Sequence, residues 1–331
     1  MGGKAHISFT PAAYARAVVS YLTHVGAPAH DLLRRVHAPE DVLQDDIRLV
    51  PLTPFLRLLH LAESELGMAD VGIQTSLFAG SVTGAWSTLE FPYSLGAFVQ
   101  KSAQHQNQTT SGARFWIDWD DEHLLFNWLG LDDVAGRSQA DGYIVAQSVS
   151  MIRRFTSPEW TPPWARLRCR SPDARAFSAA LDCEIRPHAV FNSLPIPMTL
   201  LGRRPTVKTV SGAAIGGPRP PEDIVAQVRL FIAASLADQA ATLQNAADAA
   251  GVSRRTLQRL LQQRGFTFAQ LIESVRIHSA RQLLTFPDAS VIDVALQLGY
   301  ADPSNFTRAF RRHVGTPPSQ WRRLAGLATQ N

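Results

Sequence analysis

The sequence predicts a chain of two unlike parts: an α+β N-terminal domain, followed by an all-α C-terminal domain with two helix-turn-helix units joined by a long helix. Three observations predict it. A short pattern occurs twice between Thr242 and Arg323. The best strand signal, an alternating aromatic hairpin at residues 114–128, lies far upstream of that repeat. Between them Gly202–Pro221, GRRPTVKTVSGAAIGGPRPP, has no apolar periodicity and ends in a Gly/Pro cluster, as a linker does. The expected boundaries are 1–205 for the first domain, 206–221 for the linker and 222–325 for the second domain.

In chain order, residues 11–66 read as helical. Leu32, Leu33 and Val36 recur at helical spacing, as do Phe55, Leu58, Leu59 and Ala62 after Thr53-Pro54, and Gly67 closes the run. Residues 70–100 carry Gly72, Gly80, Gly84 and Gly96, which predicts short helices and turns. Ser94–Gln108 reads as a helix leading to a polar loop. In Arg114–Trp119 the residues Phe115, Ile117 and Trp119 share one face; Asp120-Asp121-Glu122 makes the turn, and Leu124, Phe126 and Trp128 alternate on the return. A helix over Gln139–Phe155, a strand over Arg166–Arg170, a helix over Pro172–Leu181 and extended segments at Cys183–Ile185 and Ala189–Phe191 follow. Intermixed helices and strands give an α+β domain with a largely antiparallel sheet.

The repeat organises the rest. Its first copy is LQNAADAAGVSRRTLQRLLQQRG, Leu243–Gly265; its second is VIDVALQLGYADPSNFTRAFRRHVG, Val291–Gly315. Ala247 and Gly251 match Ala295 and Gly299, 48 positions on, while Leu257 and Leu261 match Phe306 and Phe310, 49 on, because the second turn is one residue longer. Each copy must be one supersecondary unit, here a helix, a glycine turn and a second helix. Ser253 and Asp302 are placed to cap the second helices, with Pro303 at the first helical position. Leu257, Leu260 and Leu261 face inward in one copy, and Phe306, Ala309 and Phe310 in the other. The opposite faces carry Ser253, Arg254, Arg255, Thr256, Gln258, Arg259 and Gln262, then Pro303, Ser304, Asn305, Thr307, Arg308, Arg311 and Arg312. Arginine forks onto guanine edges or phosphate and Asn or Gln pairs with adenine, so these are candidate DNA contacts. One arginine-rich helix face is usually plain solvated surface; two on duplicated units favour DNA.

Thr267–Phe286 links the copies, with a capping box at Thr267 and Gln270, a stripe of Leu271, Ile272, Val275, Ser279 and Leu283, and Pro287 as a stop. Roughly 18–20 residues span about 27–30 Å, close to the roughly 34–36 Å between successive major grooves. One chain is therefore expected to reach two adjacent major grooves of double-stranded DNA. Thr316-Pro317-Pro318 opens a last helix, with Trp321 expected to pack into the second unit.

Charge supports this division. Residues 1–220 carry 20 basic and 20 acidic side chains; residues 221–331 carry 12 and 8, so the whole net charge of +4 falls there. All 12 basic residues of that second part are arginine, and the positive field is confined to the part proposed to meet phosphate. The N-terminus lacks a signal-peptide pattern and no apolar run approaches 18 residues, so a cytoplasmic chain without a membrane span is expected. Cys169 and Cys183 are too few for a disulfide framework and are expected to be reduced.

Residues 224–323 resemble the DNA-binding domain of the AraC/XylS family of bacterial transcription regulators, most strongly in GVSRRTLQRLL and ALQLGYADPSNFTRAFRRHVGTPPSQWR. The first recognition helix departs from the family pattern, with Gln262 and Gln263 at its far end where basic residues are common. Fewer phosphate contacts are expected there than from Arg311 and Arg312. Leu32-Leu33-Arg34-Arg35, Val50-Pro51-Leu52, the aromatic hairpin and the strand–helix–strand ending at Phe191 are similar to the N-terminal effector domain of one branch of that family, the one with an arabinose-binding-like domain. The resemblance implies a regulator, more often an activator, which works with RNA polymerase and answers to a small-molecule effector such as an amine, amino acid or related catabolite. It leaves open a homodimer, and an alternative in which the first domain is a protein-docking or dimerisation module without a ligand.

Six of the seven tryptophans fall in the first domain: Trp86, Trp116, Trp119, Trp128, Trp160 and Trp164. Packing explains most such residues; an effector pocket is the sharper reading. Arg114 and Trp116, on the hairpin face opposite Phe115 and Ile117, are effector candidates, together with His105, Tyr143 and Arg153. No nucleophile elbow, zinc-protease motif, phosphate-binding loop or dinucleotide fingerprint is present, so no catalytic residue, cofactor or metal is assigned. Asp120-Asp121-Glu122 beside His123 is acidic, but aspartates favour tight turns for geometric reasons.

Overall fold

The computed structural model describes residues 5–38, 49–82, 94–132, 134–205, 219–236, 240–286 and 289–328. Gly84, Trp86, Pro287 and most of the proposed linker lie outside these residues. The chain divides into two compact units, one made from most of residues 8–220 and one built on residues 221–331, to which residues 5–7 and 37–38 also belong.

The first unit opens with β1 (Phe9–Pro11), α1 (Ala12–His24) and α2 (Ala29–Arg35), then β2 (Leu49–Pro51) and α3 (Leu52–Leu66). β1 and β2 form a two-stranded antiparallel sheet, Thr10 opposite Val50. Within residues 11–66, β2 departs from the helical expectation, because three residues are too few to show a period of two. α4 (Val71–Val82) is one helix where the glycines had suggested short helices and turns. Gly72 sits within it because α4 packs on α6 (Arg137–Arg153): a Cβ there would lie 1.8 Å from the carbonyl oxygen of Gln139. That glycine marks a close approach rather than a break.

α5 (Leu95–Thr109) leads into β3 (Arg114–Trp119) and β4 (His123–Leu129), paired antiparallel with Phe115 opposite Trp128 and Ile117 opposite Phe126. Asp120 accepts the backbone N–H groups of Glu122 at 2.9 Å and His123 at 2.7 Å, which accounts for the acidic turn. Trp119, at the outer end of the hairpin, is 54% exposed although it shares the face of buried Phe115. After α6 come β5 (Ala165–Arg166), α7 (Ser171–Leu181), β6 (Ile185–Arg186) and β7 (Asn192–Pro197). The sheet order is β3-β4-β7-β5-β6, antiparallel except for the β5–β6 pair.

β7 corrects the expected strand at Ala189–Phe191. Pro195 and Pro197 argue against a strand interior, since proline cannot donate to a ladder. They are tolerated because β7 pairs with β4 along its length but with two-residue β5 only at Ser193, so beyond that point one side of β7 is an edge. The core behind this sheet is built from Trp128, Phe155, Phe177, Leu167 and Leu194, all at most 1% exposed. A buried polar knot ties α6 to the sheet: Asp141 Oδ1 accepts from Trp128 Nε1 at 2.9 Å and from Asn192 Nδ2 at 2.8 Å.

Candidate nucleic-acid interface

The regular elements among the second unit's described residues are all helices: α8 (Ile224–Ser235), α9 (Leu243–Ala249), α10 (Arg254–Gln262), α11 (Phe268–Leu283), α12 (Val291–Gln297), α13 (Pro303–Val314) and α14 (Pro318–Ala328). α9 with α10 and α12 with α13 are the two copies of the repeat, and they repeat at the level of single hydrogen bonds. Thr242 caps α9 by accepting from Asn245 N–H at 3.1 Å; Ser290 caps α12 by accepting from Asp293 N–H at 3.0 Å. Both turns hold a glycine in the left-handed region, Gly251 at φ 64° and Gly299 at φ 75°. The next N–H closes each turn alike, Val252 onto Ala247 and Tyr300 onto Ala295, both at 3.0 Å. Gly265 and Gly315 follow the recognition helices with φ of 78° and 86°.

Each second helix is seated by the residues the spacing singled out. Leu257 and Leu261 of α10 and Phe306 and Phe310 of α13 are fully buried, above Ala247 and Ala295, also fully buried. Leu260 is only half-buried, a small departure from the expected stripe. Burying two such side chains contributes about 3–6 kcal/mol per helix in transfer free energy, far more than any surface ion pair. Trp321 of α14 meets Phe310 edge-on, with centroids 6.1 Å apart, as expected of it. α11 packs against α8, α12 and α13 and thus joins the copies within one core. Its 16 residues are fewer than the length read from sequence and span about 24 Å. Its capping box is present: Thr267 Oγ1 accepts from Gln270 N–H at 3.2 Å, and Gln270 Oε1 from Thr267 N–H at 2.8 Å.

With the apolar stripe buried, the opposite faces stand in solvent. Arg254, Arg255, Gln258, Arg259 and Gln262 are exposed on α10, as are Ser304, Asn305, Arg308, Arg311 and Arg312 on α13; Thr256, Pro303 and Thr307 are half-buried. Some of these groups already have work inside the fold. Ser253 Oγ accepts from Thr256 N–H at 3.2 Å and Asp302 Oδ1 from Ser304 N–H at 2.8 Å, so Ser253 and Asp302 cap the two recognition helices. Thr307 Oγ1 donates to the Pro303 carbonyl at 3.1 Å. Arg308 Nη2 donates to Asn305 Oδ1 at 2.5 Å, which holds two of the expected base-reading groups together. Arg312 is paired with Glu273 of α11. Sequence spacing did not show that pair, because it joins residues 39 apart. The pair is exposed, so exchanging Glu273 for a phosphate costs little.

Both exposed faces belong to one unit and carry cations with forked donors beside amides, the equipment for gripping phosphate and reading base edges. The geometry defines a tandem helix-turn-helix domain. Residues 246–324 match the family described as a helix-turn-helix domain. It is 38% identical over 101 residues to the ornithine utilization regulator of Pseudomonas aeruginosa, a segment covering 30% of each chain. It is 36% identical over 102 residues to the transcriptional activator NphR of a Rhodococcus species, covering 31% of this chain and 30% of that one. These matches span under a third of either relative. A longer alignment, 23% identical, joins 93% of this chain to 94% of the HTH-type transcriptional regulator VirS of Mycobacterium tuberculosis. Among solved structures, the transcriptional regulator CdpR of Pseudomonas aeruginosa aligns with 93% of this chain at 18% identity and a TM-score of 0.43.

The five residues expected to bind an effector are not gathered in one place. His105 is half-buried on α5, Arg114 is exposed at the start of β3, and Trp116 lies edge-on to Phe191 with centroids 5.2 Å apart. Arg153 Nε donates to the Trp160 carbonyl at 2.8 Å, closing the turn after α6. Of the five, Tyr143 alone lines the apolar cavity between α1, α3, α5 and α6. Neither cysteine forms a disulfide, and burial pushes their thiols up, Cys169 to about 12 and Cys183 to about 11. Among the described residues no helix is long and apolar enough to cross a membrane.

Proposed function

We propose that the protein is a sequence-specific transcription regulator whose two recognition helices, α10 and α13, enter consecutive major grooves of one DNA site. The observation that carries this reading is the duplication itself: two units with the same caps, the same left-handed glycine and the same buried pair of residues, each presenting an arginine-rich face. Arg254, Arg255, Gln258, Arg259, Asn305 and Arg308 read bases or hold phosphates, and Arg311 and Arg312 anchor the backbone. Binding upstream of a promoter recruits RNA polymerase, and the first unit adjusts DNA affinity when a small effector shifts its population of states. The names of NphR and VirS support regulation, and the alignment with VirS across nearly the whole chain supports a first domain that works with the second.

Selection of bound fragments from genomic DNA by footprinting supplies the operator and the neighbouring genes. On that operator Arg308→Ala weakens specific binding by roughly 1–3 kcal/mol if Arg308 contacts a base. A gel-shift titration with unchanged affinity removes Arg308 from the interface.

A further inference from the structure

Side chains on a helix lean toward its N-terminus, so a long residue meets the one a turn before it. On α13 this brings Arg308 back to Asn305, and Arg308 Nη2 donates to Asn305 Oδ1 at 2.5 Å. Phe306, Ala309 and Phe310 are buried on the opposite side, while Asn305 and Arg308 are both exposed. Arg311, Arg312 and His313 follow in the last turn. Like charges a turn apart repel, which favours Arg308 turning toward Asn305 rather than toward Arg311 and Arg312. A guanidinium has five N–H groups and no acceptor, so the amide atom that faces it is the oxygen. The contact takes one lone pair of Oδ1 and sets a cation beside the other. What the pair offers a ligand is then the Asn305 amide N–H groups and the remaining guanidinium N–H groups, all of them donors.

We propose that this pair reads guanine: Arg308 takes guanine N7 and O6 through two N–H groups, and Asn305 is a positioning residue that holds the guanidinium. The assignment rests on the reading of α13 as a recognition helix and names the base it selects. In the major groove guanine shows two acceptors, whereas adenine replaces one of them with an amino donor and cytosine shows an amino donor. With one of its five N–H groups on Asn305, Arg308 keeps a two-donor edge for guanine. An asparagine that pairs with adenine must accept from the base amino group. Here that amino group would approach Oδ1 where Arg308 already stands, donor against cation. The buttress belongs to α13. At the matching places of α10, 49 positions back, stand Thr256 and Arg259, and the Thr256 hydroxyl is engaged with Ser253 Oγ at 2.9 Å.

Selection of bound duplexes from a randomised pool tests this, run in parallel with the full chain and its Arg308→Ala, Asn305→Ala and Asn305→Asp variants. The base position whose preference disappears in Arg308→Ala is the one Arg308 reads. Guanine is expected there, preferred over adenine by roughly fivefold or more. Inosine at that position keeps N7 and O6 and should preserve affinity; 7-deazaguanine lacks N7 and should lower it. Asn305→Asp retains an oxygen for Arg308 and loses the amide donors, so the preference for guanine should survive even as the added charge weakens binding to every sequence. Asn305→Ala, which removes the buttress, should reduce that preference. Adenine at the Arg308-dependent position, loss of the guanine preference in Asn305→Asp, or an undiminished preference in Asn305→Ala overturns the proposal. So does an enriched site that Arg308→Ala leaves unchanged, and in that case DNA recognition by the chain still stands. A full chain that enriches no sequence rejects the DNA reading itself, and this proposal with it.

Discussion

Arg255 and Arg259 stand one turn apart on the open face of α10, and the glycine that aims this face is Gly251, at φ 64° with open space where a Cβ would go. Nothing but the backbone conformation requires glycine there. Gly251→Ala is therefore expected to cost about 1–2 kcal/mol, the price of a left-handed residue with a side chain. Urea unfolding of the two proteins measures it, and an unchanged midpoint would show that the turn relaxes. Asp141 makes a second prediction at this scale. Its carboxyl titrates near 7 in the folded chain, mainly through burial, against about 4 when unfolded. Between those values the folded chain binds more protons, so stability falls as pH rises from about 4 to 7 and levels off above. Asp141→Asn removes this slope; urea midpoints across that range that fall in parallel for both proteins would exclude Asp141 as its source. Residues of the repeat were legible because a turn glycine and its partner alanine recur at fixed spacing. Asp141 was not, because a lone aspartate in QADGYIVAQS shows nothing of the tryptophan and asparagine that hold it.

At the scale of elements, the sequence marks helix ends more clearly than short strands. Thr267 and Gln270 announced the start of α11, and both capping bonds are formed. Thr267→Ala should then cost about 1 kcal/mol, seen as a lower thermal midpoint and faster amide exchange in the first turn of α11. Exchange rates that do not change would mean that packing alone sets that end. β5 and β6, two residues each, carry no period, and the prolines of β7 concealed a strand whose free side appears only once its neighbours are in place. α4 was obscured for the opposite reason: Gly72 looks like punctuation in a sequence but serves a helix crossing. The Glu273–Arg312 pair likewise joins helices that only the fold brings together. Local chemistry was readable; close approach between distant segments was not.

At the scale of the whole molecule, one claim ties the rest together: two recognition faces, set in one unit by α11, engage one DNA duplex at the same time. The repeat, the shared core and the confinement of net positive charge to residues 221–331 all bear on it. Successive major grooves on one side of B-DNA are about 10–10.5 base pairs apart. An insertion between the half-sites therefore turns one of them away from the protein. The direct measurement is the affinity of the full chain for its selected operator with five base pairs inserted between the half-sites, beside the unaltered operator and a single half-site. Simultaneous engagement predicts that the insertion lowers affinity to that of the single half-site. An affinity equal to that of the unaltered operator would contradict it.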